Sequence, residues 1–370
     1  MRPLGIGVIG CGVISDIYMK NCAIFPQIEL RAVADMRPEA AAAKGAEYGV
    51  PAVTVDELLK REDVDIILNL TIPKAHVEVG LMALEAGKHL YAEKPLAGSV
   101  ADGRTLLQAA RAKGLRVGSA PDTFLGGSHQ TARTLLDTGR IGRPTSGTAV
   151  MMVAGHERWH PNPDFYYAGE GAGPLMDMGP YYITAMVNLL GPVSRVVGLA
   201  AKGRDRRVIA TGPRAGQEIP VETPTHVTGV MEFASGALVQ IVTSFDVKAH
   251  RHTPLELYGT DGAMLIPDPN HFDGQVMLHD ADWQAQPMRH AHGDGNYRGL
   301  GLADMAEAIA TGRDHRASGA LALHALDVIE SLLRAAGTGR AETLTTSCDR
   351  PAPLPMGTAQ GQIETMEMAQ

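Results

Sequence analysis

Three stretches carry side chains that could do chemistry together. HLYAEKPLAG, residues 89–98, is an apolar run ending on a carboxylate, Glu93, an ammonium, Lys94, and a proline, Pro95. A lone Glu–Lys pair reads as a solvated loop. At the end of a buried strand it reads instead as charge aimed into a cleft, where a partly desolvated lysine has its pKa lowered toward neutrality and can exchange a proton. In GAGPLMDMGPYYITAMVNLLG, residues 171–191, Asp177 and Tyr181 lie four apart and share one face if the stretch is helical. Pro180 is tolerated only near a helix start, which predicts a helix from Met178 or Gly179 with Asp177 as its cap. GHERWHPNPDFYY, residues 155–167, gathers His156, Arg158, Trp159, His160, Asn162, Asp164 and Tyr166. Polar groups for hydroxyls and an aromatic face for the C–H side of a ring suit a polyol, and a surface loop around a buried tryptophan is the alternative.

These groups need elements to position them. From Leu4 to about Gly118, short apolar runs (LGIGVI, LRAVAD, VDIILNLT, HLYAEKP, LRVGSA) alternate with helical stretches. Strands buried on both faces and joined by helices define a doubly wound parallel α/β sheet, a Rossmann-type domain assigned to residues 1–122. Two overlapping G-x-G-x-x-G registers compete at its start. The one beginning at Gly10, with Gly12 and with Ser15 in the third place, follows a strand and opens a helix, so it is the physical one. The turn Gly10, Gly12, Val13, Ile14, Ser15 is the expected cradle for a pyrophosphate at a helix N-terminus. Asp35 closes the next strand, where a carboxylate accepts from a ribose 2′-hydroxyl and repels a 2′-phosphate, favouring NAD. Arg37 keeps NADP possible. Thr71, His76, Glu93 and Lys94 follow later strands as further cofactor candidates, although His76 could simply cap its helix. Asp122 closes SAPD and is expected to face the substrate cleft.

After Pro121 the texture changes to longer strands, TSGTAVMMVAG, HVTGVMEFA and ALVQIVTSFDV, with turn signals at Ser235-Gly236 and Asp261-Gly262. An α+β domain with an open, mostly antiparallel sheet is expected over residues 123–345. The helical patterns LADMAEAIATG and ALALHALDVIESLLRAA would cover one face, and a second copy, giving a homodimer or homotetramer, the other. Residues 346–370, rich in Pro, Gly, Thr and Gln, read as a tail or arm.

Composition bounds the rest. A net charge of -8 over 370 residues argues against a nucleic-acid partner. No apolar run has membrane-spanning length, and no secretory signal is evident. Three cysteines without zinc or disulfide spacing point to a reduced, cytoplasmic setting. His250 with His252 and His290 with His292 could pair on a face, but a zinc site needs more ligands, so no metal is expected and these histidines are assigned to the cleft or a subunit interface.

GVIGCGVIS, TIPKAHVEVGLMALEAGKHLYAEKPLA, GPLMDMGPYY and AIATGRDHRASGALALHALDVIES, in that order, resemble the Gfo/Idh/MocA (glucose-fructose oxidoreductase, inositol dehydrogenase, rhizopine catabolism) family. The resemblance implies that Glu93-Lys94-Pro95 lies beside a nicotinamide at the carboxyl edge of the sheet, with Pro95 following a cis bond. It implies Lys94 as acid/base, with Asp177 and the residue four positions on as catalytic and substrate-binding partners. That later residue is usually histidine and here is Tyr181, which shifts proton transfer onto Lys94 and leaves Tyr181 to polarise the substrate oxygen. His156, Trp159, His160 and Asp122 join them as substrate candidates. The implied activity is hydride transfer between a nicotinamide and a carbinol carbon of a sugar, polyol, sugar acid or related polyhydroxy compound. A transient oxidation that cleaves or isomerises a sugar without net redox change is the alternative, and a dinucleotide-binding regulator a third.

Overall fold

The structure is a computed structural model and describes residues 2–169 and 171–364. The first half alternates β1 (Leu4–Ile9), α1 (Ser15–Cys22), β2 (Ile28–Ala34), α2 (Pro38–Tyr48), α3 (Val55–Lys60), β3 (Ile66–Asn69), α4 (His76–Glu85), β4 (His89–Ala92), α5 (Val100–Ala112) and β5 (Val117–Ser119). All five strands are parallel in the order β2-β1-β3-β4-β5. β3 is buried along its whole length, as helices on both faces require. Between β1 and β3 the order reverses, which opens a crevice at the carboxyl edge for a ligand.

The second half opens with α6 (Gly127–Asp137) and β6 (Pro144–Met152), then α7 (Pro174–Leu190) and β7 (Val193–Ala201). A small hairpin follows, β8 (Arg206–Val208) and β9 (Glu218–Pro220), then β10 (His226–Phe233), β11 (Leu238–Ser244), β12 (Leu255–Gly259), β13 (Ala263–Ile266), β14 (Met277–His279) and β15 (Trp283–Ala285). The helices α8 (Leu300–Thr311) and α9 (Gly319–Thr338) precede the short β16 (Glu342–Thr343). Nine strands form one open sheet, β15-β14-β13-β12-β6-β11-β10-β7-β16, antiparallel except where β6 runs beside β11.

Two helices differ from expectation. The LADMAEAIATG helix, α8, packs against β5 of the first sheet rather than covering the second. Its place on the large sheet is taken by α7, which is buried along most of its length and packs on β6, β11 and α9. An amphipathic pattern states that a helix has an apolar face and not which sheet receives it. The segment after Thr345 lies along the body: Leu354 and Ile363 are buried, Arg133 donates to the Pro351 carbonyl at 2.8 Å, and Gly361 N–H donates to His292 at 3.0 Å. Residues 365–370 of the tail lie outside the described residues.

Candidate active site

The glycine turn is built as its register requires. Gly10 has φ +105°, and a Cβ there would stand 2.6 Å from the Leu70 backbone, so only glycine fits. A Cβ on Gly12 would meet nothing within 4 Å, leaving its backbone approachable. The Ser15 amide donates to the Gly12 carbonyl at 3.1 Å, and the N-cap Ile14 offers no side-chain acceptor to the following amides of the first turn, which suits them to an anion. Val13, Met36 and Ile72 stand exposed around this edge, an apolar rim suited to the flat rings of a dinucleotide. Asp35 accepts from Cys11 N–H at 2.7 Å and from Arg37 N–H at 2.8 Å, which fixes its carboxylate at the end of β2. The residues present therefore fit a dinucleotide.

Two cofactor candidates turn inward instead. The Ser15 hydroxyl donates to the Gly12 carbonyl at 2.6 Å and is fully buried, so it closes the turn. His76 is buried with one ring nitrogen 2.7 Å from the Pro95 carbonyl and the other 3.0 Å from the Thr71 carbonyl. It braces the loops after β3 and β4 and neither caps its helix nor reaches the crevice. Thr71 is held by Asn69, which accepts from its hydroxyl at 2.6 Å.

The two domains meet at Lys94. The Lys94–Pro95 bond is cis, and the lysine crosses to α7, where Nζ donates to the Asp177 carboxylate at 2.8 Å and to the Asp177 carbonyl at 2.7 Å. This helix starts at Pro174, after Gly173 at φ +103°, so Asp177 is not the expected cap but sits in the first turn. Pro180 removes the helical rung to the Met176 carbonyl, and the Asp177 carbonyl in the same turn accepts a hydrogen bond from Lys94 Nζ. Tyr181 lies one turn on, with Lys94 Nζ 5.3 Å from its ring centre.

The electrostatics reverse one expectation. Burial alone would lower Lys94, but Asp177, with Tyr181 and Glu93 adding to it, outweighs burial and holds the ammonium well above the ordinary lysine range. Burial would likewise raise Asp177, yet the Lys94 charge and the His156 hydrogen bond hold it well below the carboxylate range. Burial raises Tyr181 despite the opposing Lys94 charge, so its hydroxyl remains a donor. Glu93 accepts from Tyr18 at 2.7 Å and from the Lys94 amide at 2.9 Å. It positions the lysine backbone.

His156 completes the cluster from the loop after β6. Trp159 Nε1 donates to His156 Nδ1 at 3.2 Å; because indole can only donate, the imidazole proton sits on Nε2 and is given to Asp177 at 3.1 Å. Below this loop the buried Arg207 pairs with Glu157 and Asp246 and lies over the Tyr167 ring, while Tyr167 accepts from the His156 amide at 2.9 Å. His160 packs on Trp159, Phe165 and Tyr166. Asp164 is held in a two-pronged pair by Arg214, outside the cleft.

A cleft of about 480 Å³ gathers Lys94, His156, Trp159, Tyr166, Asp177, Tyr181 and His250 with three groups the motifs did not signal, Asp268, Asn270 and Arg298. Asp122 is not among them. It is fully buried, accepts from Gly299 and Gly301 N–H at 2.9 Å each, and so caps α8; burial, against these bonds, pushes its carboxyl up to about 6. His290 and His292 are likewise buried away from the cleft, His290 against Thr134 and His292 against the tail. Among the described residues, no group of three or more His, Cys, Asp or Glu is arranged to hold a metal, and no helix is long and apolar enough to cross a membrane.

A dinucleotide turn on one sheet, with a lysine–carboxylate pair where it meets a second, defines a two-domain nicotinamide-dependent oxidoreductase. Residues 4–120 match the family described as "Oxidoreductase family, NAD-binding Rossmann fold", and residues 129–265 match the Gfo/Idh/MocA C-terminal domain. The chain belongs to the Gfo/Idh/MocA family of NAD-binding oxidoreductases. It is 26% identical over 351 residues to a 1,5-anhydro-D-fructose reductase of Ensifer adhaerens, covering 92% of this chain and 98% of that one. With a dTDP-3,4-didehydro-2,6-dideoxy-alpha-D-glucose 3-reductase of Saccharopolyspora spinosa it is 29% identical over 289 residues, 77% and 78% of the two chains. The solved aldose-aldose oxidoreductase of Caulobacter crescentus, complexed with glycerol, superposes with a TM-score of 0.78 at 26% identity, over 93% of this chain and all of that one.

Proposed function

We propose that this enzyme transfers hydride between a bound nicotinamide and a carbon of a sugar or related polyhydroxy compound, working most readily toward the alcohol. Residues 1–122 would hold the cofactor and 123–345 the substrate. Gly10, Gly12, Val13, Ile14, Asp35 and Thr71 would line the dinucleotide, and the nicotinamide supplies or accepts the hydride. Lys94 gives the proton to the substrate oxygen, Tyr181 donates a second hydrogen bond to that oxygen, and Asp177 and His156 bind neighbouring hydroxyls while holding the lysine in place. The sugar enzymes among its relatives support the substrate class.

The observation that carries the direction is the Lys94–Asp177 pair. A lysine kept charged by a neighbouring carboxylate is ready as an acid and must first lose a proton to serve as a base. Reduction should therefore be nearly flat with pH between about 6 and 9, whereas kcat/KM for alcohol oxidation should rise up to tenfold per unit over that range. Absorbance at about 340 nm reads both directions, and net reduced cofactor in proportion to substrate also separates this reading from transient oxidation.

Asp35 favours NAD, since its carboxylate, fixed by the Cys11 and Arg37 amides, would accept from a ribose 2′-hydroxyl and repel a 2′-phosphate, while the exposed Arg37 side chain, 3.6 Å away, leaves NADP as the second cofactor to test. Asp35→Ala removes the Cys11 anchor as well as the ribose acceptor, and NADH fluorescence titration should show Kd raised about 10- to 100-fold. The outer face of the large sheet exposes Val197, Leu199 and Leu238, and we assign it to a homodimer or homotetramer interface. Static light scattering should return a dimer or tetramer mass. The three cysteines are free, consistent with a cytoplasmic setting.

A further inference from the structure

The cleft carries two cations, and they are treated differently. Lys94 has its carboxylate at 2.8 Å. Arg298 has none. One terminal nitrogen of its guanidinium donates to the Asn270 side chain at 2.7 Å and, more distantly, to the Asn270 carbonyl at 3.4 Å; the other donates to the Asn296 side chain at 3.1 Å. All three acceptors are neutral, and among the described residues no carboxylate comes within ion-pair distance of this side chain. A cation largely withdrawn from water without a counter-charge is costly, and it persists where a ligand supplies the missing charge.

The surrounding carboxyls do not supply it. Asp122 acts on it only from beyond ion-pair distance, because its carboxylate is turned to the amides of Gly299 and Gly301 at 2.9 Å each. Asp268, which also lines the cleft, accepts from Asn270 N–H at 2.9 Å and Tyr182 at 3.3 Å and forms no ion pair with Arg298. The guanidinium is held by amides on two sides, a planar fork fixed in place before any ligand arrives. It lies beside the Tyr181 hydroxyl and lines the same cleft as Lys94.

We propose that the substrate is an acidic sugar, a uronate- or aldonate-type polyhydroxy carboxylate, whose carboxylate is taken by Arg298 a few bonds from the carbon that exchanges hydride. The inference rests on the hydride-transfer reading and narrows its substrate class. Asp268 and Asn270 then meet hydroxyls, and Arg298 sets specificity without entering the chemistry.

The test compares matched pairs on the cofactor-saturated enzyme: glucuronate with glucose, galacturonate with galactose, and gluconate with sorbitol. Wild type should favour the acid of at least one pair by about 10- to 100-fold in kcat/KM. R298Q should collapse that ratio toward one, mainly through KM of the acid, and R298K should fall between, because an ammonium gives a point charge without the fork. Preference for the neutral member in every pair by wild type, or equal losses on both members in R298Q, overturns the proposal. The wild-type ratios and R298K decide the matter if R298Q does not fold. Turnover of neutral sugars with no preference for acids sinks this inference alone; absence of hydride transfer to or from any polyhydroxy compound sinks the functional reading beneath it.

Discussion

Lys94→Met lowers kcat/KM by about 10²- to 10⁴-fold, the range for removing a positioned proton donor, and does so at every pH between about 6 and 9. The loss has two parts. The substrate oxygen loses its acid, and Asp177 loses the charge that holds it ionised, so that burial acts on the carboxyl with only His156 to oppose it. Lys94→Arg separates charge from proton transfer. It restores a cation for Asp177 and should recover most of the stability, but a guanidinium keeps its proton and should recover little turnover. Recovery of turnover as well would mean that position 94 needs only positive charge.

Asp177→Ala has the second large effect, and it acts on stability as well as rate. Lys94 and Asp177 have side-chain exposures of 16% and 18%, so removing the carboxylate strands an ammonium in a largely dry site. The cost should be about 3 kcal/mol in urea denaturation, the lower end for a broken buried pair. The sign with pH follows from the two shifts. Asp177 is depressed, so its contribution is present above the unfolded carboxylate value of about 4 and is lost as pH falls through its lower folded value. Lys94 is raised, so its contribution is present below the unfolded lysine value of about 10.4 and is lost as pH rises through its higher folded value. The pair therefore stabilises the protein fully from about pH 4 to 10, and the gap between wild type and variant should be constant through the neutral range and narrow toward the alkaline end, where the stranded Lys94 of the variant can shed its proton. In Asp177→Asn, burial acts on Lys94 with less opposition, so the alkaline limb of the reduction profile should move to lower pH. An unmoved limb would mean that Asp177 does not tune the lysine.

How much of this was legible in the sequence depends on whether neighbours along the chain or across space decide it. The glycine turn was legible because Gly10 and Gly12 answer to a backbone conformation within a few residues. The pairing of Asp177 with Tyr181 was legible as spacing on one helix. The helix start was misread although a signal existed, Gly173 before Pro174, the usual order at a first turn. Lys94 was read as desolvated and hence lowered; desolvation is real, but the sequence could not show that Asp177, eighty-three positions away, would come within 2.8 Å and reverse the sign. Asp122 was placed in the cleft because it ends the last Rossmann segment, and only the docking of α8 on that edge shows it to be a helix cap. Arg298 and Asn270 come from irregular loops far from any motif, which periodicity does not reach.

The most direct test is a single turnover with reduced cofactor deuterated at nicotinamide C4 and a keto sugar, followed by mass spectrometry of the product and by quantitation of oxidised cofactor. This reading predicts one deuterium on the new carbinol carbon for each cofactor oxidised in wild type, and a transfer rate at least about 100-fold slower in Lys94→Met. Product without label, or label transferred at the wild-type rate without Lys94, would contradict it.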